Sequence, residues 1–218
     1  MAKVPRAGEV KTRLCPPLEL DEAARLYRAF LLDKVEQVRS LGDASHAIAY
    51  TPDEGRSLFA AMAPDFILVP QRGGELGVRL AAVAGELLAQ GHAAVLLIDT
   101  DTPTLPTGCL VEALALVARA DTDLVLGPSE DGGYYLIGLR AAPRELFEGV
   151  PWSTPQVFAE TVRRARALGL AVSCLPRWFD VDTGADLARL RASLAATPGP
   201  APRHTRRFLS AQGAIAGG

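Results

Sequence analysis

Cysteine, histidine and net charge are all scarce in this 218-residue chain, and each shortage removes a class of function. The three cysteines, Cys15, Cys109 and Cys174, lie far apart. They offer neither a disulfide framework nor zinc-ligand spacing, and they read as reduced thiols in a cytoplasm. His46, His92 and His204 have no nucleophile elbow beside them, which argues against a Ser/His/Asp hydrolase. A formal net charge of −2 gives no general field for nucleic acid or an anionic membrane. No apolar run approaches the ~20 residues of a membrane span. The opening, Met1 to Arg6, has no apolar signal-peptide core.

What is present is core material. The chain is 49% hydrophobic, which rules out wholesale disorder, and its length suits one domain. Ala23, Leu26, Tyr27, Phe30, Leu31, Val35, Val38 and Leu41 recur near the helical period, with Gly42 as a stop. Further helices are expected over 56–62, 76–90, 106–119, 155–168 and 183–195. Strands are expected at 47–50, 66–69, 94–98, 123–126, 134–137 and 171–175. Ala94-Val95-Leu96-Leu97-Ile98 is apolar on both faces, as a parallel strand covered on both sides should be. This alternation predicts an α/β domain over residues 1–196 with a mainly parallel sheet. Pro198, Gly199, Pro200 and Pro202 then predict a mobile tail over 197–218.

Ligands of open α/β sheets bind beyond the carboxyl ends of strands. The 94–98 strand runs into Asp99-Thr100-Asp101. Carboxylates there can hold Mg2+ or Mn2+ against phosphates, or simply cap a turn. Asp180 and Asp182 flank Val181 after the last strand, and an extended segment would put both on one side. One of them could complete a metal site with Asp101. Glu130-Asp131-Gly132-Gly133 precedes a strand: the glycines permit a tight turn, and Asp131 has chemical potential. The opening loop carries Lys3, Arg6, Lys11 and Arg13 around Pro5 and Gly8, a composition able to offer cations and backbone N–H groups to phosphates.

Together these pieces resemble the DUF2064 family, bacterial proteins of the glycosyltransferase-A superfamily often labelled arsenosugar-biosynthesis glycosyltransferases. The resemblance covers about residues 2–195. It rests on the opening loop, Asp101-Thr102-Pro103-Thr104-Leu105-Pro106, Gly127 to Leu139, Pro151-Trp152-Ser153-Thr154 and Asp180-Val181-Asp182-Thr183, in that order. It implies a Rossmann-like nucleotide-diphospho-sugar transferase fold with helices on both faces of the sheet. Carried over, Lys11 and Arg13 would bind phosphates, and Asp101 and Asp182 would hold the metal; Lys3 and Gly8 of the same loop are expected to join the phosphate site, and Asp99, through the Asp-x-Asp it forms with Asp101, the metal site. Asp131 would face the acceptor or a second metal, with Gly132 and Gly133 beside it, and Lys11 would assist catalysis. Gln71 and Arg79 would lie near the base or acceptor, and Trp152 and Ser153 would shape the acceptor pocket.

The implied function is metal-dependent glycosyl transfer in the cytoplasm, from a nucleotide sugar to a small-molecule acceptor. The alternatives are nucleotidyl transfer from a nucleoside triphosphate, with pyrophosphate release, and a catalytically silent nucleotide-binding protein. Two features depart from the family. Asp99 stands where glycine is usual, which creates a literal Asp-x-Asp. The first central strand, expected before the basic loop, is missing, so the reading frame is expected to continue upstream with about 5–6 apolar residues.

Overall fold

The computed structural model describes residues 1–42 and 44–215. Its elements in chain order are β1 (Ala2–Lys3), α1 (Leu20–Arg39), β2 (Ala47–Thr51), α2 (Arg56–Met62), β3 (Ile67–Pro70), α3 (Leu76–Ala89), β4 (Val95–Ile98) and α4 (Thr107–Val117). There follow β5 (Leu124–Pro128), β6 (Tyr134–Leu139), α5 (Arg144–Phe147), α6 (Val157–Ala167), β7 (Val172–Cys174), α7 (Gly184–Ala196) and α8 (Arg203–Ile215). No helix among the described residues is long and apolar enough to cross a membrane.

The strands form two hydrogen-bonded groups. One runs β1-β2-β3, all parallel; the other runs β4-β6-β5-β7. In the second group β5 and β7 are parallel, while β6 opposes both its neighbours. The α-amino group of Met1 donates to Ile98 O at 2.8 Å. A two-residue stub of β1 therefore stands between the groups, in the central place where sequence analysis finds no strand.

Alternation along β4 sorts the core. Val95 and Leu97 pack with α3, α5 and α6 on one face. Leu96 and Ile98 pack on the other with α4. Tyr50 and Ile48 of β2 share that second face with α1, α2, α7 and α8. Both faces are covered, as the unbroken apolar pattern of β4 requires. The α7 helix starts in a capping box: Thr183 Oγ1 accepts from Asp186 N, and the Asp186 carboxylate accepts from Thr183 N. This fixes the residues just before it, among them Asp182.

The expected mobile tail over 197–218 is corrected for its described part. After the proline-rich turn the chain folds back as α8 against α1. The reason lies far away in sequence. Buried Asp33 accepts from His204 N, Thr205 N and Thr205 Oγ1, the last at 2.6 Å, and so caps the first turn of α8. Arg203 and His204 both reach Glu36, and Leu209 is buried. Residues 216–218 of the expected tail lie outside the described residues. Asp33→Ala leaves three buried or half-buried donors without a partner. It should cost about 2–3 kcal/mol in urea unfolding and release the amides of 203–209 to hydrogen exchange.

Candidate functional site

Three distant segments meet at Lys11. Its backbone takes a left-handed conformation, φ 50°, at the start of a short helical turn over Thr12–Leu14. Its ammonium lies 2.6 Å from Asp101 Oδ1 and 2.7 Å from Asp182 Oδ1. The Lys11 side chain is only 5% exposed, and each carboxylate is 37% exposed. Burial opposes the charge on Lys11, but the two carboxylates outweigh it and push the ammonium pKa well above its ordinary value. Arg13 is mostly exposed and reaches Asp182 at 4.0 Å.

A cavity of about 270 Å3 opens here, lined by Lys3, Glu9, Lys11, Arg13, Asp101 and Asp182 with Val10, Thr12 and Tyr27. Lys3 Nζ donates to Glu9 O at 2.8 Å and braces the loop. Gly8 takes φ +77° in that loop, with open space around it. The loop is hung from β1 and α1: Lys3 N donates to Tyr27 Oη, which also bonds Thr100 Oγ1. Main-chain bonding joins the two carboxylate segments as well, because Val181 N donates to Asp101 O at 2.9 Å.

Beneath this rim lies a second pair of carboxyls. Asp99 Oδ1 accepts from Thr102 Oγ1 at 2.8 Å, and Asp180 Oδ1 accepts from Ser129 Oγ at 3.3 Å. Burial raises both pKa values above the usual carboxylate range. The charge of Asp101 adds to the effect at Asp99, and those of Asp99 and Asp131 add to it at Asp180. Lys34 is buried nearby, donating to Thr102 O, Thr102 Oγ1 and Gln37 Oε1. Burial lowers its pKa, and the charges of Asp99, Asp101, Asp33 and Asp180 oppose that. Lys34 falls on the apolar stripe of α1, four residues after Phe30. That register is the one sequence signal that it points inward.

Other expected site residues have different partners. Gln71 Nε2 donates to Ala49 O and Ala2 O, so it bridges β2 and β1, while its Oε1 accepts from Arg79. Trp152 packs on α3, where a Cβ on Gly77 would come within 2.6 Å of its indole nitrogen, and it meets Tyr134 edge to face. Ser153 is exposed with φ 63°. Asp131 is exposed at the β5–β6 turn, and its Oδ1 accepts from Gly133 N at 2.9 Å. Gly132 has φ +92°, and a Cβ there would lie 2.1 Å from Pro155 O. Among the described residues, Gln71, Arg79, Trp152 and Ser153 do not line the cavity at Lys11.

The half-buried pair Asp99 and Asp180 has a cost that grows with pH. A carboxyl raised in the fold binds its proton where the unfolded chain has lost it, so stability falls as pH rises above the unfolded value. Asp180→Asn keeps the size of the side chain and an oxygen for Ser129 Oγ and removes the ionisable group. In urea titrations with chelator it should be near neutral at pH 4 and more stable than the parent by about 1–3 kcal/mol at pH 8. Gly132→Ala should destabilise by about 2 kcal/mol or more, through both its φ and the clash with Pro155.

A family model described as "Uncharacterized protein conserved in bacteria (DUF2064)" matches residues 34–154. No curated protein matches the chain. Among solved structures, a "putative nucleotide-diphospho-sugar transferase" from Desulfovibrio desulfuricans G20 is 32% identical. It aligns over 98% of this chain and 93% of its own, with a TM-score of 0.89. A mannosyltransferase from Pyrobaculum calidifontis, solved with GDP-mannose and Mn2+, is 17% identical over 84% of this chain and 65% of its own. Its TM-score of 0.43 is too low to carry an argument about this chain. The family match spans more than half of the sequence, and the Desulfovibrio protein extends the likeness to nearly all of it: the chain belongs to the DUF2064 family.

Proposed function

We propose that this protein is a metal-dependent glycosyltransferase that uses a nucleotide-sugar donor and a small-molecule acceptor. The observation that carries this reading is the convergence of Asp101 and Asp182 on one cation position, in a cavity whose remaining charged groups include Lys3 and Arg13. The likeness to the Desulfovibrio protein supports the donor class.

The donor set fits a hard divalent ion. Two carboxylate oxygens already converge on the Lys11 ammonium, and Mg2+ and Mn2+ favour such oxygens. Asp101 and Asp182 would hold the ion, and Asp99 would support them from below. When bound, the ion would supply positive charge to the diphosphate leaving group. Lys11, Lys3 and Arg13 line the same cavity and would offer positive charge to the phosphates. An acceptor oxygen attacks the anomeric carbon. The bond from that carbon to the diphosphate oxygen breaks, and its electron pair leaves with the nucleoside diphosphate. Asp131 orients the acceptor and takes its proton, using the oxygen not engaged by Gly133 N.

The concentration of cations on one loop favours a second reading, nucleotidyl transfer. There an acceptor phosphate oxygen attacks the α-phosphorus of a nucleoside triphosphate and pyrophosphate leaves. Incubation with sugar nucleotides and nucleoside triphosphates, with Mg2+ or Mn2+, separates the readings. Acceptor-dependent release of nucleoside diphosphate is expected. Pyrophosphate release establishes the second reading, and nucleotide binding without turnover reduces the protein to a binding module. Asp101→Asn should lower turnover by about 10²-fold or more. Unchanged turnover would remove the proposed metal site.

A further inference from the structure

We propose that Lys34 is a positioning residue of the acidic site: acting through Thr102, it offsets the charge of Asp99 and fixes the turn that aims Asp101 at Lys11 and the cavity. Lys34 is 6% exposed and Thr102 is fully buried. The Lys34 ammonium donates to Thr102 Oγ1 at 3.3 Å, and that hydroxyl donates to Asp99 Oδ1 at 2.8 Å. A hydroxyl between a cation and a carboxylate is polarised from both sides, which strengthens both bonds. The ammonium also donates at 3.2 Å to Thr102 O, the carbonyl that accepts from Leu105 N. One side chain thus holds the hydroxyl and the carbonyl of the residue next to Asp101.

The grip is shared along one face of α1. Tyr27, Lys34 and Gln37 stand two turns and then one turn apart, so they share a side of the helix. Tyr27 Oη bonds Thr100 Oγ1 at 3.0 Å, and Lys34 takes Thr102. Gln37 accepts from Lys34 and donates through Nε2 to Leu105 O at 2.6 Å. Thr100 and Thr102 flank Asp101, so both its neighbours are anchored to α1. The Asp101 carbonyl is anchored too, by Val181 N at 2.9 Å. Its carboxylate is left to meet the Lys11 ammonium at 2.6 Å.

Packing alone does not call for a cation at this position. An ammonium at such depth loses its hydration, and its acceptors, Thr102 O, Thr102 Oγ1 and Gln37 Oε1, are neutral. A methionine would fill much of the same space without that cost. The ammonium is explained by the acidic groups around it, of which Asp99 is reached through a single hydroxyl. Asp99 in turn has the like charge of Asp101 beside it, and a cation on the α1 side lets the two stay close. Lys11 serves Asp101 from the cavity, and Lys34 serves Asp99 from the core.

The test follows the Lys11 ammonium of the full chain by NMR in the presence of chelator, where exchange of its protons with water reports the hold of Asp101 and Asp182. Lys34→Met and Thr102→Val are each expected to speed that exchange by about 10-fold, with the amides of α1 protected as in the parent. Thr102→Val keeps the shape of the residue, so it decides the matter if Lys34→Met does not fold. Adding Asp99→Asn to Lys34→Met should restore slow exchange and most of the lost urea midpoint, because the amide oxygen can still accept from Thr102 and no charge is left to offset. Unchanged Lys11 exchange in Thr102→Val would overturn the proposal. So would a double variant no better than Lys34→Met alone, since Lys34 would then be a packing residue only. A second arm, titration with Mn2+, rests on the metal site proposed above: Thr102→Val should weaken Mn2+ binding by about 10-fold. A parent that binds no Mn2+ removes that metal site, while the ammonium exchange still decides the role of Lys34.

Discussion

The structure at the strand ends depends on one buried ammonium. Lys11 and Asp182 are separated by 171 positions, and their contact at 2.7 Å ties the opening loop to the segment before α7. The same ammonium holds Asp101 at the end of β4. Without a cation between them, two carboxylates this close would repel each other in a partly desolvated place. The contact therefore has chemical meaning before any ligand is considered. It marks a point where the fold has arranged for positive charge to be welcome.

The acidic residues are arranged in two tiers with different physics. Asp101 and Asp182 are half-exposed and face the cavity with Lys11 and Arg13. Asp99 and Asp180 are more enclosed, Asp99 accepting from Thr102 and Asp180 from Ser129, with Lys34 as the buried cation nearby. Burial raises the pKa values of the lower tier, and the carboxylate oxygens of the upper tier face the cavity, where a hard cation could reach them. A literal Asp-x-Asp is thereby split. Asp101 acts at the rim, and Asp99 acts on the loop that carries it.

Much of this was legible where local periodicity carries the information. The β4 pattern gave both the covered strand and the position of Asp101, and the alternation about Val181 placed Asp180 and Asp182 on the acidic side. Side-chain partners far along the chain were not legible. The register of Lys34 on α1 points it inward, but its partner Thr102 lies 68 positions away. The segment after Thr197 reads as broken by proline, because the Asp33 that caps α8 lies near the other end of the sequence. Gln71 looks like a ligand-facing residue of a loop, yet both of its amide bonds go to strand carbonyls. In each case a polar group was committed to a tertiary partner that no local pattern announces.

The commitment of Gln71 is one of several that converge on β1, from which the Lys11 loop hangs. Gln71 grips the carbonyl of Ala2, Tyr27 accepts from Lys3 N, and Val4 N donates to Thr51 O. Tyr27 passes the constraint on to Thr100, between the two aspartates that follow β4. The polar end of β1 is thus fixed by side chains from α1 and the β3–α3 loop as well as by its two residue pairs with β2. Strand length alone would not position Lys11, because two pairs of residues give little rigidity. Hydrogen bonds from three directions do so, and the placement of the cation between Asp101 and Asp182 follows from them.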